Sequence, residues 1–312
     1  MNIDRRLLGE KAREMGFVRD TLEKVYRLTE ILTFINGHTF LKENLVLKGG
    51  TAINLTVFNL PRLSVDIDLD LSINYNLEEM EIAKSEILLV LSRYMLMNGY
   101  TLNTNSKSKH SLDSLVYRYT NTGGNIDNIK IELNYSLRSH IYQPVLRRVV
   151  TSVTDSELMI RTLVPSELFA AKLNALMSRA AVRDLYDINN MTRFGLFDES
   201  QYDELRRNTV FYAAISAEVI NKEFKTDAID QITFSKVKRD LFPVISKKDN
   251  FDLEERKESA KNFIRDLMVL TEREKEFLER FELKEYKPEL VFDDDEIVER
   301  LLRHPMALWK MW

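Results

Sequence analysis

No cysteine occurs in the 312 residues, which excludes disulfides, thiolate metal sites and a cysteine nucleophile. Histidine is nearly as scarce: His38, His110, His140 and His304 lie far apart in the chain, and no HExxH pattern exists to hold zinc. Nine glycines and six prolines make up about 5% of residues, well below usual usage. So few turn residues argue against an all-β fold, and long helices are expected to dominate. No run approaches the ~18 consecutive apolar residues of a membrane span, and the N-terminal residues Met1 to Arg6 form no apolar signal core. A cytoplasmic protein with no membrane partner is expected.

Charge of one sign is also missing overall, since 45 Lys and Arg nearly balance 49 Asp and Glu. The local balance says more. Residues 130–193 carry nine basic and six acidic side chains (+3), and residues 252–300 ten basic and seventeen acidic (−7). A polyanion would bind the first stretch and avoid the second.

What is present points to two parts. The length gives a soft prior of two domains. Residues 5–37 read as two helices parted near Gly16, and Asn44 to Leu47 as a short strand entering Lys48-Gly49-Gly50-Thr51. A helix to Phe58, a strand from Leu63 to Ile73 and a helix over 77–98 follow. Alternation then marks strands at 115–119, 129–133 and from Pro144 to Val153, with Asn121 to Asn125 as a hairpin connection. From Pro165 to about Arg193 runs one long helical pattern, and nearly everything beyond Gly195 reads as helix. The expected fold is α/β (α+β): residues 1–195 a domain with a small mixed sheet, residues 196–312 an all-α helical bundle.

The most informative stretch is Ser64-Val65-Asp66-Ile67-Asp68-Leu69-Asp70-Leu71. Side chains alternate across a strand, so the three aspartates share a face with neighbours about 7 Å apart. An exposed, charge-tolerant strand face would look the same. A divalent cation changes the energetics, because carboxylate oxygens are the hard ligands that Mg²⁺ requires. Glu132, in Lys130-Ile131-Glu132-Leu133-Asn134, supplies a third candidate. On adjacent strands, Asp66, Asp68 and Glu132 would form a metal site for phosphoryl transfer. Lys48, Gly49, Gly50 and Thr51 sit at a strand–turn–helix junction, where backbone N–H groups favour anions. A Gly-Gly pair alone is weak evidence, but here a carboxylate strand follows within about fifteen residues. The Walker A pattern is absent.

Together these residues resemble the AbiEii/AbiGii (MenT-type) toxin nucleotidyltransferases. Gly49-Gly50-Thr51 followed by Arg62-x-Ser64-x-Asp66-x-Asp68 is similar to the family's opening motif. Lys130 to Asn134, with Arg138, is similar to the second. The segment from Glu167 through Lys172 to Arg179 resembles the third, Arg183-Asp184-x-x-Asp187 the fourth, and His304-Pro305 ahead of Trp309 the C-terminus. The resemblance implies an Mg²⁺- (or Mn²⁺-) dependent enzyme that takes an NTP, has a cognate antitoxin partner, and uses tRNA 3′ ends as acceptor. It also implies activity for Lys172 and Asp187.

Read as one helix, residues 165–193 place Lys172, Arg179, Arg183 and Asp187 in a stripe about 80° wide. A solvated face with an Arg183–Asp187 ion pair is the plain reading. Beside the upstream motifs, the stripe reads as a phosphate-handling wall: Lys172 a point charge against the triphosphate, Arg179 or Arg183 an oxygen-binding fork. Asp184 is the weaker candidate, better suited to anchoring a neighbouring arginine. Ser64 either touches a phosphate oxygen or hydrogen-bonds the turn, and is a candidate for modification, since a phosphate there adds like charge beside the carboxylates. Glu132 either completes the metal site or acts as base. Phe211, Phe224, Phe242, Phe263 and Phe281 in the helical half are expected in the core. The alternatives are nucleotidylation of a small molecule or protein hydroxyl, and a catalytically silent nucleotide-binding protein.

Overall fold

The computed structural model of the chain describes residues 4–150, 157–216 and 220–312. Two compact units divide it: residues 1–138, 144–162 and 244–248 form the first, and residues 139–143, 163–243 and 249–312 the second.

In the first unit, α1 (Arg5–Met15), α2 (Arg19–Gly37) and α3 (Thr39–Asn44) lead into the sheet. The Asp4 side chain caps α1 by accepting from the Arg6 and Leu7 amides at 2.8 and 2.9 Å, and Gly16, at φ +79°, ends it. Helix α2 buries Leu22, Val25, Leu28, Ile31, Leu32 and Ile35, the stripe its 3.6-residue periodicity demands. Strand β1 (Leu45–Lys48) passes directly into the short α4 (Gly49–Ala52), which continues as a π-turn over Ile53–Val57. Next come β2 (Asp66–Leu71), α5 (Leu77–Met97), β3 (Thr101–Leu102), β4 (Lys107–Ser108), β5 (Leu112–Thr120), β6 (Ile126–Asn134), β7 (Val145–Arg148) and β8 (Met159–Thr162).

These eight strands make one mixed sheet in the order β3-β5-β6-β2-β1-β8-β7, with β4 also paired to β5. Strand β2 runs antiparallel to β1 and parallel to β6. A parallel pair needs a long crossover, and α5 with the β3–β5 strands provides it. Ile67, Leu69, Leu71, Ile129, Ile131 and Leu133 are all buried, as are Met80, Ile87 and Leu91 of α5. The small mixed sheet is therefore as expected, although the strand anticipated from Leu63 to Ile73 is trimmed to β2. Of the strand anticipated from Pro144 to Val153, β7 is present, and residues 151–153 lie outside the described residues. The Asn121–Asn125 connection is a hairpin whose Asn121 Oδ1 accepts from the Gly123 and Asn125 amides, both at 2.9 Å.

The second unit is built from α6 (Pro165–Arg179), α7 (Val182–Arg193), α8 (Tyr202–Ser216), α9 (Asp227–Asp230), α10 (Phe234–Lys236), α11 (Leu253–Leu267), α12 (Glu272–Glu282), α13 (Asp295–Leu302) and α14 (Pro305–Lys310). The single long helix anticipated over 165–193 is instead α6 and α7, parted at Ala180, which lies in the left-handed region at φ +46°, ψ +53°. Alanine is the strongest helix former, so propensity does not break the helix there. The ion pairs described below, which join α6 to α7, accompany the corner. Both helices group with the C-terminal ones, so residues 163–195 fall in the second unit, across the division expected at 195/196. Phe211, Phe224 and Phe281 are core residues. Phe242 is 40% exposed, and its ring meets Phe234 edge-on at 5.8 Å; Phe263 meets Tyr202 in the same way at 5.7 Å. Among the described residues, no helix is long and apolar enough to cross a membrane.

Candidate active site

In the first unit, the pairing of β2 with both neighbours brings the predicted residues together. In register, Asp66 lies opposite Lys130, Asp68 opposite Glu132 and Asp70 opposite Asn134 on β6. On the other side, Lys48 of β1 lies opposite Asp68. Directly opposed residues project to the same face of a sheet, so Lys48, Asp68 and Glu132 share one face with Asp66 and Asp70. The adjacency of β2 and β6, which spacing alone leaves open, is thus present.

The glycine turn meets this face closely. Gly49 has φ +68°, and a Cβ built on it would overlap Asp68 Oδ2, with Asp68 Cγ at 3.1 Å. Only glycine lets the carboxylate lie against the backbone here. Gly50 is hemmed in from the other direction: its Cβ would stand 2.6 Å from Arg62 Nη2 and 3.3 Å from Ser64 Oγ. Thr51, fully buried, donates its hydroxyl to the Asp66 carbonyl and is hydrogen-bonded to the Ser64 hydroxyl at 2.8 Å. Of the two roles anticipated for Ser64, the structure displays the hydrogen bond to the turn.

Two neighbours given no role from the sequence, Arg62 and Asp70, also meet this face. Arg62 is 2% exposed, and its Nη1 donates to the Leu63 carbonyl at 3.1 Å, placing a buried cation beside Gly50. Its proximity to Ser64 and Asp66 in sequence was the available signal. Asp70 is fully buried and ion-paired with Lys48, so Lys48 reaches along the strand face to a carboxylate. Burial pushes the Asp70 carboxyl above its ordinary value, with Lys48 opposing the shift. Arg138, at φ +48°, directs Nη1 to the Met80 sulfur at 2.9 Å, and burial lowers its guanidinium from the usual value.

The donor chemistry suits a divalent cation: Asp66 and Asp68 offer hard carboxylate oxygens two residues apart on one strand face. Glu132 is turned to its own strand neighbour, Lys130, with Oε1 2.8 Å from Nζ. Among the described residues, no group of three or more His, Cys, Asp or Glu side chains is arranged to hold a metal ion. The anticipated trio of Asp66, Asp68 and Glu132 is therefore joined in register without being gathered into a three-ligand cluster.

In the second unit, the corner at Ala180 replaces the anticipated helical stripe with a compact ionic group. Lys172 Nζ lies 2.6 Å from Asp184 Oδ1 and 3.1 Å from Asp187 Oδ2. The other Asp184 oxygen, Oδ2, accepts from Arg179 Nε and Nη2 at 3.0 and 2.9 Å. Asp184 thus anchors an arginine as anticipated, and holds Lys172 as well. Both aspartates are 1% exposed. Arg183 points elsewhere, donating from Nε to the Asp240 carbonyl at 3.0 Å.

Residues 32–292 match the family described as nucleotidyl transferase AbiEii toxin, type IV toxin–antitoxin system. The chain belongs to that family, and is a nucleotidyltransferase toxin. Its fold is similar to that of MenT4, a nucleotidyltransferase toxin from Mycobacterium tuberculosis, with a TM-score of 0.62 at 16% identity, covering 99% of each chain. No curated protein sequence matches the chain.

Proposed function

We propose that this toxin transfers a nucleoside monophosphate from an NTP to a tRNA 3′ end. The observation that carries the reading is the register of the central strands: Asp66 and Asp68 on β2, Glu132 opposite Asp68 on β6, and Gly49 beneath the Asp68 carboxylate. Asp66 and Asp68 would hold Mg²⁺ or Mn²⁺, which would supply positive charge to offset that of the triphosphate. Backbone amides at Gly49, Gly50 and Thr51 receive the phosphates, and Lys48 and Ser64 are proposed to support that turn. The acceptor hydroxyl oxygen bonds to the α-phosphorus as the bond from that phosphorus to the oxygen bridging the β-phosphate breaks, releasing pyrophosphate. The hydroxyl proton passes to a carboxylate, for which Glu132 is the candidate; its alternative role is to complete the metal site.

From the second unit, Lys172 and Asp187 are proposed catalytic residues, and Arg179 and Arg183 phosphate ligands. The family motifs that include them fall within residues 48–187, so residues 1–195 are proposed as the functional nucleotidyltransferase domain and 196–312 as a helical-bundle partner module. A cognate antitoxin and a cytoplasmic setting follow from the type IV toxin–antitoxin family as parts of the same proposal.

The test incubates purified protein with Mg²⁺, each labelled NTP in turn, and total tRNA, beside an Asp66→Ala, Asp68→Ala double variant. Label on RNA with the wild type alone is the expected result. Transfer to a small molecule or to a protein hydroxyl instead would replace the acceptor. Nucleotide binding without turnover, unchanged in the double variant, would mark a silent fold.

A further inference from the structure

An open groove of about 530 Å³ in the first unit is lined by Arg5, Arg6, Gly9, Arg13 and Arg19. None of these residues belongs to the carboxylate strand or the glycine turn. At 100° per residue, Arg5, Gly9, Arg13 and Arg6 fall within about 100° of arc on α1, so the helix shows one basic face with glycine in its middle. Arg6 is paired with Glu10 at 2.9 Å, and Arg19 with Asp20 at 2.6 Å. For Arg5 and Arg13 no ion pair or side-chain hydrogen bond exists among the described residues, and both are exposed. Two cationic forks therefore stand without an ion-pair partner among the described residues.

Gly9 is the second, independent observation. It lies inside an 11-residue helix, where glycine is destabilising relative to alanine. A Cβ built there meets nothing within 4 Å, so no contact inside the protein calls for its absence. What the missing side chain does is keep the floor of the groove bare, letting a ligand approach the α1 backbone between the arginines. Guanidinium groups match phosphate oxygens in a fork. Among the described residues no aromatic side chain lines the groove, so bases have no stacking platform there, and contacts of this kind read backbone rather than sequence.

We propose that this groove binds the phosphodiester backbone of an RNA, apart from the residues that carry out transfer. The choice of RNA rests on the acceptor reading above, while binding itself requires no NTP and no turnover. The experiment measures anisotropy of a fluorescein-labelled tRNA at fixed Mg²⁺ without NTP, over a series of salt concentrations. The Arg5→Ala, Arg13→Ala variant is expected to loosen Kd at least tenfold and to reduce the slope of log Kd against log salt by about 1.5, as loss of two phosphate contacts requires. Gly9→Gln, which fills the floor without changing charge, is expected to weaken binding while raising Tm. Lys236→Ala, Lys238→Ala removes equal charge from the second unit and is expected to leave Kd within twofold.

Equal losses from both double variants would overturn the proposal, as would an unchanged Kd for the first. So would displacement of the RNA by inorganic tripolyphosphate at equal phosphate concentration, which would make the groove a small-polyphosphate site. If RNA binds through the groove but is never labelled, the tRNA-acceptor reading fails and the groove stands. If RNA is labelled equally well by the Arg5, Arg13 variant with an unchanged Kd, the reverse holds.

Discussion

The Asp68 carboxylate occupies the space into which any side chain at position 49 would project. Gly49 also sits at φ +68°, so two requirements coincide at one residue: a left-handed backbone and room for an anion. Gly49→Ala breaks both. The backbone term alone costs about 1–2 kcal/mol, and the overlap displaces Asp68 from its position. The expected outcome is a lower Tm together with at least a tenfold loss of nucleotidyl transfer. Thermal melting and label transfer measured on one preparation check it, and full transfer by the variant would remove the turn from the site.

Lys172 holds two carboxylates that are each 1% exposed. Removing one partner of a buried ionic group strands the remaining charge, at a cost of about 3–5 kcal/mol. Lys172→Met is therefore expected to lower Tm more than Asp66→Asn or Asp68→Asn. Arg179, whose side chain is 65% exposed, contributes less than about 1 kcal/mol through its bond to Asp184, so Arg179→Ala is expected to leave Tm nearly unchanged. Melting curves of the four variants provide the comparison. A Tm for Lys172→Met equal to the wild type would show that the cluster is not held by its lysine.

How much of this was legible in the sequence depends on whether the determinant is local. The alternation of Asp66, Asp68 and Asp70 with Ile67, Leu69 and Leu71 has the two-residue period of a strand, and β2 is there. The turn at Gly49 and Gly50 was legible because glycine marks positions that other residues cannot occupy. The pairing of Asp68 with Glu132 was not, since it spans 64 residues and a crossover through α5. Nor was the break at Ala180, where two alanines in sequence favour the helix that ion pairs from Asp184 to Lys172 and Arg179 accompany in breaking. The ion pair from Lys48 to Asp70 was not legible either, since its partners lie 22 residues apart on two different strands.

That Asp70 pair gives a pH prediction. Burial raises the folded-state carboxyl above its ordinary value, so its contribution to stability is fully present below the unfolded value and is lost as pH rises through the folded one. Asp70→Asn removes this titration. The difference in Tm, variant minus wild type, is accordingly expected to become more positive as pH is raised from 4 to 7.5. Scanning calorimetry or dye-based melting at four pH values would measure it. A difference that falls with pH would mean that Lys48 outweighs burial and holds the carboxyl below its ordinary value.

Glu132 separates stability from chemistry. Its only ion pair among the described residues is with Lys130 at 2.8 Å, with both side chains about a third exposed, and such a pair contributes at most about 1 kcal/mol. Glu132→Gln is therefore expected to shift Tm by less than about 4 °C. If Glu132 accepts the hydroxyl proton, the same change lowers turnover by at least about a hundredfold, and added Mg²⁺ does not restore it. Lys130→Ala releases Glu132 from its neighbour and is expected to preserve turnover. Were Glu132→Gln to lose turnover only at low Mg²⁺, the carboxylate would be completing the metal site rather than taking the proton.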